Sequence, residues 1–530
     1  MYDSQQVMQR INGLSPAHQK DVHAIVTGRP TLKHKFEGGG GSSNSMNMQT
    51  QNERSTLLSS FEKYAGWTIP ALFPPEQITG GEEVQYDYQS FGAQAVNNLA
   101  NKMTVTLFHP SRPFFKAQAP QSYIEDSGRP LTDIETEMSA VEAQCMTDFA
   151  ERDGRTAATD ILMQLIVTGN GLLQTLKGRP YRCFSYRDYD ASFDPWGRLA
   201  HMVLREWVCV NTLPAHVAKA CMDNGKRESD LVQIFTGVKR LKLDHYVVWQ
   251  EVENYGILSG DYGVYSEDSL PYKPQRWLVV PGRQAGVGLV EQMAGDFHTL
   301  SCMAEADLDL LAIMLDIKTL VKPGGKVKLK EINDSDRGSY VSGEEGDLTS
   351  HSHDVSNQVQ FLDGRMDKLI RRLSQMFLLN SNAIRDAERV TAEEIRYIAQ
   401  ELDQVHGGVY SRTARTLQRP LALDLLRNVD VAFKTFKPLI VTGLESLSRL
   451  SELDSYRGFI QDITNFGQAL QGPHARWVNV EGLTKKFAAG WGVDISTVLL
   501  TPEQVQAEEK RQLKLQAQAA AAEQLPGATQ

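Results

Sequence analysis

At 530 residues, with 41% hydrophobic and 23% charged residues, the chain has the composition of an ordinary folded protein but is too long for one compact core. The 55 Lys+Arg against 65 Asp+Glu leave a formal net charge of −10, which excludes a polycation that coats nucleic acid and leaves room only for local DNA contacts. The cysteines (Cys145, Cys183, Cys209, Cys221, Cys302) are scattered and form no C-x-x-C pair, which excludes a disulfide framework and a zinc ribbon. With no signal-peptide layout at the N-terminus and no apolar run of bilayer length, a soluble protein of a reducing compartment is expected.

Residues 1–54 are polar, contain "EGGGGSSNSMNMQTQNE" and read as a flexible arm. From Ser55 to Leu107 the pattern is helical, interrupted at "TIPALFPPEQ", where Pro70, Pro74 and Pro75 force an extended turn. Between Leu131 and Leu176 apolar residues return at helical spacing, broken by "TGNG" at 168–171. The following stretch, including "YRCFSYRDYDASFDPWGRLAHMVLREWVCV" and "DLVQIFTGVKRLKLDHYVVWQEV", is β-branched, aromatic and divided by Gly, Asp and Pro turns, so it predicts a strand-rich section.

The stretch "VGLVEQMAGDFHTLSCMAEADLDLLAIMLDIKTLV" places Leu289, Met293, Phe297, Leu300, Met303, Leu311, Met314 and Leu315 at the spacing of one long amphipathic helix, about 45 Å in length. Residues 321–355 read as a short strand-and-turn insert, and "QVQFLDGRMDKLIRRLSQMFLL" as a second helix. Long helix, small β-insert and helix together predict an antiparallel stalk with a tip.

In "ERVTAEEIRYIAQELDQVHGGVYS" (388–411), Thr391 and Glu394 form a capping box and Val390 with Ile395 a hydrophobic staple. Ile395, Ile398, Leu402, Val405 and Val409 line one helical face. Gly407 and Gly408 then fall where the helix still runs; each is about 1 kcal/mol less favourable there than Ala. They mark a kink, or else a close approach to a neighbouring helix. The polar stretch 380–390 is a loop between two well-specified helices. From about Pro420 the chain reads as mainly helical, ending in a helix capped by Thr501, Pro502 and Gln504.

No catalytic constellation is legible. The segment "KPGGKVK" lacks the spacing of a phosphate cradle. "GRQAGVGLVE" reads as a plain turn and helix start, with a phosphate site as the lesser alternative. His351, His353 and Asp354 read as a solvated loop rather than metal ligands, and no G-x-S-x-G elbow occurs. Neither an enzymatic activity, a cofactor nor a metal is expected. By itself the Arg371–Arg372 pair, like the lysines from Lys318 to Lys330, reads as a solvated face rather than a nucleic-acid contact.

Five stretches carry a resemblance: "GWTIPALFP" (66–74), "SFGAQAVNNLANKMTVTLF" (90–108), "LMQLIVTGNGLL" (162–173), "GDFHTLSCMAEA" (295–306) and "ERVTAEEIRYIAQELDQVHGGVYS" (388–411). Over residues 55–505 the chain resembles the portal proteins, or head-to-tail connectors, of short-tailed phages of the podovirus and autographivirus type. The resemblance implies an α+β, mainly helical portal fold and a dodecameric ring at one capsid vertex, through which double-stranded DNA is packaged and ejected. It implies a wing over 55–287, stem helices over 288–320 and 356–379, and a small β clip over 321–355. A tunnel loop over 380–390, a kinked wing helix over 391–425 and a helical crown with tail over 426–530 complete the division.

The same resemblance assigns candidate residues. Arg385 and Arg389, with Asn380 and Asn382, belong to the tunnel loop facing DNA. Lys368, Arg371 and Arg372 form basic belts on the stem. Lys322, Lys326, Lys328 and Lys330 lie at the clip, where the motor and then the tail dock. Implied partners are further copies of the chain, a separate terminase, scaffold protein, the major capsid protein, and tail adaptor and tail tube proteins; no membrane is implied. The expected location is the portal vertex of the virion, after assembly in host cytoplasm. A net-acidic conduit with few basic rings suits translocation, because many phosphate contacts would stall the DNA. The alternative, a terminase-type packaging enzyme, requires phosphate-cradle and carboxylate motifs that are missing. A metabolic enzyme with a helical appendage leaves the stalk and its insert unexplained.

Overall fold

The structure is a computed structural model and describes residues 51–74, 86–109, 113–118, 131–241, 245–252, 256–257, 263–315, 318–323, 348–351, 356–379, 392–428 and 439–442, with a few single positions besides. Two compact units divide the chain, Met1–Gly443 and Leu444–Gln530. Apart from position 461, the described residues belong to the first.

Helix α1 (Gln51–Gly66) begins inside the segment read as the arm. Arg54 explains why: it is 8% exposed, and its Nη2 donates to the carbonyls of Tyr186, Arg187 and Tyr189 at 3.2, 3.3 and 3.1 Å. Its Nη1 lies 3.5 Å from the Asp190 carboxylate. The arm boundary at 54 is thus corrected to before Gln51. A buried charge in a polar stretch is invisible to apolar periodicity.

Helix α2 (Phe91–Leu107) packs centrally on α4 (Gly154–Thr168), which follows α3 (Leu131–Glu151). Leu99, Met103, Ile161, Leu165 and Phe149 share one core with Phe61, Trp277, Phe297 and Leu417. Each such side chain contributes about 1.5–3 kcal/mol on burial. The helical reading through Leu176 is corrected at its end. Gly169, with φ 75°, closes α4 in the left-handed C-terminal conformation, and β2 (Asn170–Gln174) follows, buried throughout. A short apolar run of this kind fits a buried strand as well as a helix, and only tertiary pairing decides.

The strand-rich section is present. β2 lies between β10 (Tyr272–Arg276) and β3 (Arg182–Phe184), antiparallel to both. A second, six-stranded antiparallel sheet runs β4 (Tyr189–Phe193), β5 (Leu199–Cys209), β6 (Leu231–Arg240), β7 (His245–Val252) and β8 (Gly256–Ile257), with β9 (Gly263–Ser266) also on β7. α5 (Ala215–Asp223) buries Val217 and Cys221 against Val232 and Val252 of that sheet.

After the short α6 (Leu289–Gln292), α7 spans Ala294–Leu315. β11 (Lys318–Val321) then pairs antiparallel with β12 (Leu348–His351), Lys318 opposite His351. α8 (Ser356–Met376) returns. The expected helix over 288–320 therefore breaks at Met293 and stops at Leu315, and the β-insert begins at Lys318 rather than at 321. Thr319 and Val321 are β-branched and favour the strand. The Asp296–Arg372 ion pair and the Phe297–Phe377 ring contact at 5.7 Å join the start of α7 to the end of α8, so the pair is antiparallel with the β-insert at its far end.

α9 (Ala392–Thr413) runs through a π-helical turn (Ala414–Gln418) into α10 (Arg419–Asn428). β13 (Leu439–Thr442) then pairs with β1 (Phe115–Gln118). Within the region after 426, read as mainly helical, these four residues form a strand instead, and their sequence Leu-Ile-Val-Thr is β-favouring. Apart from position 461, the remainder of that region after 442, the Thr501 cap and the arm before Gln51 lie outside the described residues. Among the described residues no helix is long and apolar enough to cross a membrane.

Candidate functional site at the ends of the α7–α8 pair

The two ends of the α7–α8 pair differ in chemistry. At the near end, α8 stops against the core in a Schellman closure. Leu379 N donates to Ser374 O at 2.8 Å and Leu378 N to Gln375 O at 3.4 Å. The closing residue, Leu378, has φ 54° and is 3% exposed. A leucine in the left-handed region is strained by about 1–2 kcal/mol, so something must hold it there.

Three side chains do so. Lys102 of α2, only 1% exposed, donates from Nζ to Leu378 O at 2.5 Å. Asn98, four residues earlier on the same helix, donates from Nδ2 to Phe377 O at 2.9 Å and Leu378 O at 3.2 Å. His406 of α9 bonds from Nε2 to Met376 O at 2.9 Å. Carbonyls at a helix C-terminus carry partial negative charge and lack intrahelical partners, so a buried ammonium and two N–H donors complement them. Burial lowers the Lys102 pKa, an effect the Glu401 carboxylate partly offsets. Burial also lowers that of His406, which favours the neutral ring; a neutral ring reaches Met376 O only as the Nε2–H tautomer.

His406 is also where α9 departs from helical geometry, with φ −126° and ψ 23°. The bend directly precedes Gly407 and Gly408. A Cβ on the exposed Gly408 would meet nothing within 4 Å, so that glycine does not serve close packing against another described helix. Trp277 backs the bend: its ring lies 6.0 Å from that of His406, and its carbonyl accepts from Arg412 at 3.0 Å. Beyond, the π turn aims Gln418 inward to cap Leu107 O at the end of α2, at 2.5 Å.

Of the sequence-predicted residues, Lys368, Arg371 and Arg372 are exposed on α8, and Arg372 pairs with Asp296 of α7. Lys322, directly after β11, and Lys330, between β11 and β12 in sequence, are exposed. The structure thus separates the α8 cations from the insert lysines along the length of the pair. Lys326, Lys328, Asn380, Asn382, Arg385 and Arg389 lie outside the described residues. Among the described residues no His, Cys, Asp and Glu gather at metal-ligand spacing. Lys102, Asn98 and Leu378 were not anticipated. One signal was available: Lys102 is the only charged residue in the otherwise uncharged α2.

The "TGNG" and "GVG" stretches meet at a backbone crossing. A Cβ on Gly169 would fall 2.4 Å from Gly288 N, and one on Gly286 would fall 2.4 Å from Gly169 O. Asn170 clasps the crossing, accepting Gly286 N at 2.7 Å through Oδ1 and donating to Gly286 O at 3.2 Å through Nδ2. The glycines before α6 serve this contact, in keeping with the turn-and-helix-start reading.

Four of the quoted stretches, containing Asn98 and Lys102, Gly169, Asp296 and Phe297, and His406, therefore meet the α7–α8 pair or the crossing that leads into it. The model of the bacteriophage head to tail connecting protein family matches residues 43–499. This chain belongs to that family. The portal proteins of Enterobacteria phage T3, Escherichia phage T7 and Pseudomonas phage phiKMV are 30%, 28% and 31% identical to this connector. They align with 86%, 87% and 87% of its chain and cover 88%, 89% and 92% of their own. It is a portal connector of a short-tailed phage, and the matches do not favour the terminase-type enzyme.

Proposed function

We propose that this connector assembles into a closed homo-oligomeric ring, a dodecamer, at one capsid vertex, and that double-stranded DNA enters and leaves through its centre. The observation that carries this reading is the α7–α8 pair, which extends a β-hairpin away from the core and leaves apolar residues uncovered along its far half. Two helices alone bury too little apolar surface to justify such a stalk, whereas neighbouring copies around a ring cover it.

In this reading the α7–α8 pair is the stem, the β11–β12 insert the clip, and 380–390 the tunnel loop. The wing is the helical and strand-rich body before α6, with α9 as its kinked helix; the crown lies after 426. Arg385 and Arg389 with Asn380 and Asn382 meet the DNA at the tunnel loop. Lys368 and Arg371 on α8 repeat once per copy as belts, while Arg372 serves first to hold α7 through Asp296. Lys322, Lys326, Lys328 and Lys330 present a basic rim to the terminase and later to the tail adaptor and tail tube. Scaffold and major capsid proteins are further partners, and assembly takes place in the host cytoplasm. The protein hydrolyses no ATP itself; the motor is a separate subunit.

The test is the particle mass of the purified protein, by mass photometry with electron-microscope class averages. Rings of about twelve copies with a central hole are expected, with no ATPase activity. A monodisperse monomer or dimer that persists with scaffold protein present overturns the reading. Given rings, Arg385→Ala and Arg389→Ala are expected to reduce packaged DNA without dissolving the ring.

A further inference from the structure

The uncovered surface on the α7–α8 pair has a pattern. On α7 the stripe buried at Phe297, Leu300 and Ala304 continues in helical phase through Leu308, Leu311 and Leu315, which are 51%, 39% and 79% exposed. The exposed Glu305 and Asp309 flank it, and α7 contains no lysine or arginine. On α8 Phe361 is an exposed large apolar side chain, at 68%, with the Arg365 guanidinium 5.7 Å from its ring centroid and Lys368 one turn beyond Arg365 on the same flank.

The register of the pair brings these features level. Asp296 meets Arg372 and Phe297 meets Phe377, and both helices rise equally per residue. Moving outward from those contacts along both helices, Glu305 arrives level with Arg365, and Leu308 with Phe361, to within about one turn.

We propose that these two surfaces meet between neighbouring copies of the chain. The Leu308–Leu311–Leu315 stripe of α7, with Glu305 and Asp309, packs on Phe361 and Arg365 of α8 in the next copy. The proposal rests on the ring reading above and names the faces that close the ring. The occupant is a second copy because the complementarity is internal to one chain: one helix is acidic and apolar, the other basic and apolar, at the same height. Rotation about a ring axis preserves height, so faces that lie level along the pair come together in a head-to-tail contact. A two-fold contact through α7 would instead set Glu305 and Asp309 against their own equivalents, which like charge disfavours. One consequence is that Arg365 belongs to the subunit contact and not to a DNA belt.

Charge reversal tests this. Glu305→Arg and Arg365→Glu, both at exposed positions, are made singly and together in the full chain. Melting temperature confirms folding, and mass photometry follows ring assembly over a concentration series. Each single variant is expected to assemble at least about ten-fold less tightly than wild type, and the double variant to recover.

The deciding measurement mixes the two single variants. Alternating copies then present only opposite-charge contacts, so rings return, whereas pairing within one copy is not rescued by mixing. Leu311→Asp, which removes the apolar contact without touching the ion pair, is expected to weaken assembly as well. Wild-type rings with unaffected variants overturn the proposal, as does an Arg365→Glu ring that is intact but packages poorly, or a mixture that stays dissociated. A wild-type protein that forms no ring overturns the ring reading itself, and this proposal with it.

Discussion

The ammonium of Lys102 donates to the carbonyl of Leu378 across 276 residues of chain. The bond ties helix α2 to the final turn of α8 and so fixes the direction in which the chain leaves the α7–α8 pair. Its surroundings set what its loss does. Lys102→Met keeps most of the aliphatic side chain's packing but removes the charged donor, while Asn98 still serves the Leu378 carbonyl. Losing a buried charge-assisted bond without orphaning the acceptor is expected to destabilise by about 1–3 kcal/mol. Thermal melting checks this; an unchanged midpoint would make the ammonium dispensable.

Leu378 sets backbone strain against burial. Leu378→Gly relieves about 1–2 kcal/mol of left-handed strain but deletes a core leucine whose loss, cavity included, costs about 2–5 kcal/mol. Burial wins, so a lower stability by about 1–3 kcal/mol is expected in denaturant unfolding. A stabilised variant would mean that the side chain contributes little to the core.

Gly169→Ala drives a methyl group into the backbone of Val287 and Gly288, at 2.5 and 2.4 Å, at a position whose φ of 75° already disfavours a side chain. Neither neighbour is a flexible side chain that can swing away. A loss of about 3 kcal/mol or more is expected, read as low soluble yield or a sharply reduced melting temperature. By contrast, Gly408→Ala meets open space and is expected to be neutral or to stabilise by up to about 1 kcal/mol.

Lys273 gives the connector an alkaline signature. Burial pushes its pKa down from the ordinary 10.5 to about 8, against the raising influence of Asp424. Between about 8 and 10.5 the unfolded chain therefore binds more protons at this site than the folded one, so its contribution makes stability rise with pH across that window and stay flat below it. Lys273→Met is expected to flatten this slope when unfolding free energy is measured from pH 7.5 upward. A slope unchanged from wild type would remove Lys273 as its source.

His406 acts at the opposite end of the scale. Its pKa is lowered from 6.5, chiefly by burial, so the unfolded chain takes up the proton first as pH falls through 6.5, and stability drops from there toward the lowered value. His406→Gln keeps a donor for the Met376 carbonyl and is expected to lose that acid sensitivity. Melting temperatures at pH 7.5 and 5.5 decide it: equal pH dependence in both proteins would exclude His406 as the titrating group.

Much of the architecture follows from local pattern. The spacing of Phe297, Leu300 and Leu311 and of the apolar residues of α8 is a property of the chain alone, as is the β-insert between them. The break in α9 next to Gly407 and Gly408 follows from backbone propensity; that helix is described from Ala392, and the expected cap at Thr391 lies outside the described residues. The surface cations Lys368, Arg371 and Arg372 were legible for the same reason, since an exposed charge needs only its own helix to place it.

What the tertiary structure decided has in each case a partner far away in sequence. Arg54 leaves the polar arm because the carbonyls it caps belong to residues 186–189. "GLLQ" becomes a strand because β10 supplies its hydrogen bonds, and Leu439–Thr442 because β1 does. Lys102 and Leu378 carry no signal that joins them; one is a lone charge in an otherwise uncharged helix, the other a leucine in a conformation meant for glycine. Helical phase is decided within a few residues. Satisfying a buried carbonyl, or holding a strained one, depends on which chain segments the fold brings within 3 Å of each other, and no local pattern encodes that.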